Sequence, residues 1–358
     1  MNLKDISLLV NQFRIEGNFK SSTPFGEGHI NKTFLIETCC NRYILQRIND
    51  SIFPDVEELM NNIEEVTSFI ASKGKETIKL IPTKNGKYYI KTKDGYFRMM
   101  EFASNTITYQ KPINLDLVAS QGAAFGELHL LLSDFPVEKI KEVIPNFHNT
   151  KQRYLNFVNA LENAPKNKIN IAKEEIAFIK DHEKDYSLVV DEIKKGNIKV
   201  RVTHNDTKIN NILFDKDTGK YRLIVDLDTI MPGSILYDIG DAYRGLFTGE
   251  NEDNRDLSLQ KVNLDIFKTF MYAYFDKMYG KLSETEIKLV PFSAYLMTIE
   301  SGMRFLEDYL RGNVYFHVDY EDHNLVRART QIALAKDILK NLDILNEIVG
   351  GYNYGKEH

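Results

Sequence analysis

The chain has 358 residues, a formal net charge of -5, 43% hydrophobic residues and 27% charged residues. These are the proportions of a globular protein too long for one ordinary core, and the mild negative charge gives no electrostatic basis for binding nucleic acid or an anionic membrane. No apolar run approaches the length of a membrane span, the opening Met1-Asn2-Leu3-Lys4-Asp5-Ile6 is unlike a signal peptide, and the two cysteines, adjacent at Cys39 and Cys40, read as reduced thiols, so a cytoplasmic protein without a zinc site is expected.

Leu3, Ile6, Leu9, Val10 and Phe13 fall at helical spacing and predict a short amphipathic helix. Pro24-Phe25-Gly26-Glu27-Gly28-His29-Ile30-Asn31 follows, with two glycines punctuating an extended region. Glycine lets a backbone approach phosphate closely, so Gly26, Gly28 and Asn31 are candidates for a phosphate-covering turn; a plain hairpin turn is the competing reading. Residues 34–38 and 42–48 read as strands, 55–72 as a helix with Pro54 before it and acids in its first turn. Then comes a meander, residues 78–82, 87–91 and 96–102, broken at Asn85-Gly86 and Asp94-Gly95, both strong hairpin signals. Residues 20–102 therefore read as several antiparallel strands with one helix inserted among them.

From residue 103 the pattern turns helical. Residues 115–132 suit a central scaffold helix, 135–154 read as loop, and 153–163 and 173–193 as further helices. Next stands Val202-Thr203-His204-Asn205-Asp206-Thr207-Lys208-Ile209-Asn210-Asn211-Ile212-Leu213-Phe214, a polar loop between two apolar runs, followed by Leu223-Ile224-Val225-Asp226-Leu227-Asp228. Read as extended chain, the second segment points Asp226 and Asp228 the same way. An Asp and an Asn on a loop, then an Asp on a strand, are what phosphoryl transfer from Mg-ATP needs: one carboxylate for the attacking hydroxyl, an amide oxygen and a carboxylate for the metal. Asp238 is placed to accept backbone N–H bonds from the loop. Phe247 either stacks on a sugar ring or packs in the core. Residues 264–279, 283–309 and 325–345 read as helices, and the chain after Gly350 as a frayed tail.

His204 to Asn211 resembles the catalytic loop H-R-D-L-K-x-x-N of the protein-kinase-like superfamily. The wording H-N-D-T-K and the lack of an A-P-E segment move it toward the aminoglycoside phosphotransferase and choline kinase group. Longer phrases, among them F-G-E-G-H-I-N, Y-I-L-Q-R-I-N, I-P-N-F-H, V-D-L-D-T-I-M-P-G and G-M-R-F-L-E-D-Y-L, resemble the N-acetylhexosamine 1-kinases of bacteria, over about residues 25–336. The resemblance implies a two-lobed, protein-kinase-like α+β fold, with residues 1–102 as the nucleotide-covering lobe and 103–358 as the catalytic and substrate-binding lobe. It implies an enzyme using ATP and Mg2+ to phosphorylate the anomeric hydroxyl of N-acetylglucosamine or N-acetylgalactosamine. Asp206 would be the catalytic carboxylate, Lys208 would stabilise the transferring phosphoryl group, and Asn211 and Asp226 would bind metal, with Asp228 as a second metal ligand or a helix cap. His204 would be structural.

By the same resemblance, Arg47 stands in for the missing strand lysine, with Gln46 as its rival, and Glu64, or else Glu65, pairs with that cation. Met100, Glu101 and Phe102 would form the adenine hinge, and Arg304 and Tyr315 would contact the sugar alongside Asp206. The alternatives left open are another acceptor (choline, an aminoglycoside, homoserine or methylthioribose) and a non-catalytic regulator on a kinase-like scaffold. The absence of Trp mildly disfavours a choline cage. Only the sugar and ATP are inferred as partners; no protein partner is.

Overall fold

The computed structural model describes residues 3–26, 31–247 and 252–354. In chain order the strands are β1 (Phe19–Pro24), β2 (Lys32–Thr38), β3 (Arg42–Ile48), β4 (Ile90–Thr92), β5 (Gly95–Glu101), β6 (Thr106–Ile107), β7 (Arg201–Thr203), β8 (Ile212–Asp215), β9 (Tyr221–Ile224) and β10 (Met231–Gly233). The helices are α1 (Leu3–Val10), α2 (Val56–Ser72), α3 (Leu115–Leu131), α4 (Thr150–Glu162), α5 (Lys166–Ile171), α6 (Lys173–Asp181), α7 (Leu188–Lys194), α8 (Ile235–Phe247), α9 (Leu264–Met278), α10 (Glu284–Arg311), α11 (His323–Lys340) and α12 (Leu342–Tyr354). Two compact units result. The first comprises Met1–Thr108, Asp134–Pro145 and Leu213–Met231; the second comprises Tyr109–Ser133, Asn146–Ile212 and Pro232–His358. Division by chain order at residue 102 thus misses two later segments that pack with the sheet.

The first unit is built on an antiparallel sheet of order β1-β2-β3-β5-β4. Alternation along β3 and β5 sends Tyr43, Leu45, Phe97 and Met99 to one face, where Ile6, Leu9 and Val10 of α1 and Phe13 cover them. The other face carries Gln46 opposite Arg98. The expected strand over 78–82 is reduced to a single bridge, Leu80 to Met100, with Ile81 N–H donating to Met99 O; Pro82 has no N–H with which to extend the ladder. Helix α2 begins where its signals predicted: Asp55 caps it by accepting the Glu58 N–H.

The second unit is helical. Gly122 and Gly126 of α3 let that helix lie directly on α9; a Cβ at Gly122 would stand 2.3 Å from Phe270 O. Helix α10 opens on a complete capping box, Ser283 with Glu286. Two expected single helices are each broken in two. Residues 173–193 divide at His182–Ser187 into α6 and α7, where Tyr186 turns inward and donates its hydroxyl to Ile179 O. The last helix divides at Asn341, which caps α11 through three N–H contacts and donates its side chain to Asp337. Helix α12 then continues to Tyr354, past the tail expected after Gly350. Among the described residues no helix is long and apolar enough to cross a membrane.

Candidate active site

In the second unit the segment from β7 to β8 forms a loop bonded at successive residues. Asp238, buried at the start of α8, accepts the His204 N–H at 2.7 Å, the Asn205 N–H at 2.6 Å and His129 Nε2–H at 2.8 Å. This is the loop-holding role its position in the sequence indicated. Asn205 sits at φ +64°, a left-handed conformation that Asn tolerates better than most residues, and its side chain closes on Thr203. Thr207 donates its N–H to Asp241 and its hydroxyl to Asp238 O, while Gln121 donates to Thr207 O. His204 is fully buried, edge-on to Phe125, and its Nδ1 accepts the Asp206 N–H. It is part of the loop's foundation.

That foundation presents Asp206 partly exposed. Lys208 Nζ lies 3.0 Å from Asp206 Oδ1, and the Asn211 amide donates to Asp206 Oδ2 at 3.0 Å and to its carbonyl at 2.9 Å. The Asp206 carboxylate raises the Lys208 pKa above the ordinary lysine value, so Lys208 stays cationic. Asp241 is buried, which by itself would raise its pKa; the attraction of Arg244 and then of Lys208 overcomes this and holds it low. Arg244 in turn reaches Glu252.

Farther along this unit, Arg304 of α10 is half-buried, its guanidinium 5.8 Å from the Phe147 ring and 5.6 Å from the Phe316 ring. Burial first, then the nearby Arg304 charge, lowers the Arg153 pKa. Asp308 accepts the N–H groups of Val314, Tyr315 and Phe316, fixing the loop that leaves Tyr315 exposed. His148 bridges Glu300 at 2.8 Å and Asn205 O at 3.3 Å. None of Phe147, His148, Glu300 or Phe316 carried a role in the sequence reading; the phrase I-P-N-F-H was the one signal, for Phe147 and His148. Phe247 is a correction. It is buried in the core and stacks on Tyr243 at 5.5 Å, so the core reading holds and the sugar-stacking one does not.

In the first unit the outcome differs more. Strand β9 ends at Ile224, Asp226 turns left-handed at φ +60°, and Leu227–Thr229 form a single 3-10 turn. Asp226 and Asp228 therefore do not share a strand face. Asp228 is buried, paired with Arg98 and accepting from the Asn31 amide at 2.5 Å. Its charge is thus met within the sheet unit. Arg47 points away from this group and donates Nε to Asp94 O in the β4–β5 turn, so Gln46, not Arg47, faces the Asp226 segment. Glu64 is exposed, and burial with the neighbouring Glu65 raises its pKa; Glu65 pairs with Lys139. The α2 residue that meets the turn after Asp226 is buried Asn62, donating to Ile230 O at 3.0 Å and Lys141 O at 2.7 Å.

Among the expected hinge residues, Glu101 N–H donates to Lys79 O and Phe102 N–H to Arg42 O, so those two donors are spent within the sheet unit; Met100 lies in the β3–β5 ladder. Phe102 meets Phe25 edge-on at 5.8 Å, and Gly26 takes a positive φ of 77°. Gly28 lies outside the described residues.

A five-stranded antiparallel sheet unit, a helical unit and an Asp–Lys–Asn catalytic-type loop define the kinase-like fold of a small-molecule phosphotransferase. Residues 21–266 match the model of the phosphotransferase enzyme family, and the chain belongs to that family. Solved structures support the fold. A microcompartment-associated aminopropanol kinase aligns with TM-score 0.62 and 13% identity, over 96% of this chain and 99% of that one. The ethanolamine kinase of Plasmodium vivax aligns at 0.58 and 16%, over 90% and 83%. A spectinomycin phosphotransferase, solved with ADP and spectinomycin, aligns at 0.56 and 13%, over 99% of both chains.

Proposed function

We propose that this phosphotransferase moves the γ-phosphoryl group of ATP to the anomeric hydroxyl of an N-acetylhexosamine, N-acetylglucosamine or N-acetylgalactosamine, giving the sugar 1-phosphate. The observation that carries the transfer step is the Asp206 carboxylate, held between Lys208 and the Asn211 amide on a loop pinned by Asp238. Asp206 accepts and orients the acceptor hydroxyl. An anomeric hydroxyl is more acidic than an ordinary alcohol, so little is asked of that carboxylate as a base. Lys208, kept cationic by Asp206 and 3.0 Å from it, would offset charge on the transferring group. Asp241 and Arg244 keep the loop in register from below.

The donor set suits magnesium. The Asn211 nitrogen is committed to Asp206, which leaves its amide oxygen as a donor, and that oxygen and the Asp226 carboxylate are each hard donors of the kind Mg2+ takes alongside phosphate oxygens. When bound, the ion would neutralise charge on the phosphate oxygens. Gly26, Gly28 and the Phe25–Phe102 pair are proposed to lie on the nucleotide.

The acceptor reading draws support from charge. Choline, ethanolamine and aminoglycosides are cations at neutral pH. Arg304 and Arg153 would repel them, an effect that Glu300 and Glu307 nearby offset in part, whereas a neutral N-acetylated sugar is indifferent to either sign. Arg304 and Tyr315 are the proposed sugar contacts, with Phe147 and Phe316 fixing the guanidinium. The test is incubation with Mg-ATP and either N-acetylglucosamine or its 1-O-methyl glycoside, with mass detection. A sugar phosphate from the free sugar alone supports the reading. Equal product from the glycoside places the phosphate elsewhere and overturns the 1-kinase assignment.

A further inference from the structure

Kinase-like lobes usually carry a lysine on the third strand and a helix glutamate that holds it. This chain has Gln46 and Arg47 on β3, and neither of the α2 acids Glu64 and Glu65 pairs with a sheet cation among the described residues. The buried cation of the sheet stands one strand over. Arg98 of β5, directly opposite Gln46 in the register, is 3% exposed. Its Nε and Nη2 both donate to Gln46 Oε1, at 2.9 and 2.8 Å, and its Nη1 donates to Asp228 Oδ1. The other Asp228 oxygen accepts from Asn31, whose own oxygen accepts the Asn49 N–H at 2.9 Å; Gln46 in turn donates to Thr33 at 3.1 Å. Every member of this cluster, centred on the buried pair Arg98 and Asp228, has a partner, as such a cluster must if it is not to destabilise the unit.

We infer that Arg98 is a positioning residue: through Asp228 it clamps the 3-10 turn that begins at Asp226 to the sheet, and so sets the orientation of the metal-binding carboxylate. The geometry favours such a clamp. Asp226 sits at φ +60°, a left-handed conformation that Asp tolerates better than most residues but that still costs more than an extended one, and bonds on the following turn help to hold it. The turn is fixed from two sides, by Arg98 at Asp228 and by Asn62 at Ile230 O. The arrangement exchanges the usual strand-to-helix ion pair for a strand-to-turn ion pair. The cation then acts on the metal site rather than on the helix. This inference rests on the phosphotransferase reading above.

The test measures ADP affinity by calorimetry, with Mg2+ and in EDTA, so that it stays informative if no acceptor is turned over. In wild type, Mg2+ is expected to strengthen ADP binding. Arg98→Met is expected to lose that strengthening by about tenfold or more, while the affinity in EDTA stays within about threefold. Arg98→Lys, which keeps one charged donor, should recover part of it. Because an unpaired buried Asp228 can unfold the unit, the double variant Arg98→Met with Asp228→Leu replaces the pair by apolar groups. It is expected to melt near wild type and still lack the Mg2+ effect. The milder Gln46→Leu loosens Arg98 and should reduce the effect about threefold or more without unfolding. An Mg2+ effect within about threefold of wild type in the folded double variant would overturn the inference, because the pair would then serve stability alone. Equal losses with Mg2+ and in EDTA would also overturn it, by making Arg98 a direct phosphate contact. Absence of any Mg2+ effect in wild type would contradict the magnesium reading itself and is seen before any variant is made.

Discussion

Replacing Asp238 by alanine is expected to damage both stability and turnover. The carboxylate accepts three bonds of 2.6–2.8 Å, from His204 N–H, Asn205 N–H and His129 Nε2–H, and is about 1% exposed. Water cannot readily replace it. Each buried donor left unpaired costs about 1–3 kcal/mol, so the sum is roughly 3–6 kcal/mol after partial relaxation. For a unit of this size that corresponds to a melting temperature lower by roughly 6–24 °C. The loop it pins carries Asp206 one residue on, and misplacing a reacting group by about 1 Å costs on the order of a hundredfold in rate. Asp238→Asn keeps the shape but offers one acceptor oxygen where two are used, and should fall between wild type and alanine. Thermal melting monitored by circular dichroism and steady-state ADP release provide the two readouts. An Asp238→Ala protein melting within about 2 °C of wild type, with kcat within about threefold, would refute the reasoning.

Three further outcomes are expected. Asp206→Asn should abolish turnover while leaving ADP affinity nearly unchanged; near-wild-type kcat would remove Asp206 from the chemistry. Arg304→Ala should raise the KM for the sugar by about tenfold or more and leave the KM for ATP unaltered, and it should ease inhibition-free access for cationic acceptors; parallel changes in both KM values would place Arg304 outside the acceptor site. The third concerns acid. Despite its burial, Arg244 and Lys208 hold the Asp241 pKa below the ordinary aspartate value in the folded protein, so it adds stability that is present above the unfolded pKa and is lost as pH falls through the lower folded value. Asp241→Asn should therefore be less stable than wild type at pH 7, with the gap narrowing below about pH 4. A gap constant from pH 7 to the acid limit, in melts across that range, would contradict this.

The second unit was the more legible from sequence. The H-x-D-x-x-x-x-N spacing defines a loop whose internal bonds are short-range, and Asp238 belongs to a helix start readable from its neighbours. Residues 135–154 were opaque for the opposite reason. His148 takes its meaning from Glu300, 152 positions away, and a loop phrase carries no periodicity to announce such a partner. In the first unit, alternation set the faces of β3 and β5 correctly, but the choice between Gln46 and Arg47 turned on which face meets a segment 180 residues later. The Asp226–Asp228 stretch misled because an apolar run reads as strand to its end. The turn that follows left-handed Asp226 is bonded at Asp228 by Arg98 and at Ile230 by Asn62, residues far off in the chain. Phe247 shows the same limit: an aromatic at a helix end is compatible with core and cleft alike until its neighbours are known.

The most direct test of the central proposal is a comparison of kcat/KM for phosphorylation of N-acetylglucosamine, N-acetylgalactosamine, choline, ethanolamine and kanamycin under saturating Mg-ATP, with the product identified by mass. Phosphoryl transfer to the neutral N-acetylhexosamines, exceeding that to each cation by about a hundredfold or more, is the predicted result. Preferred turnover of a cationic acceptor would keep the family and the Asp206 loop but contradict the sugar assignment and the role given to Arg304.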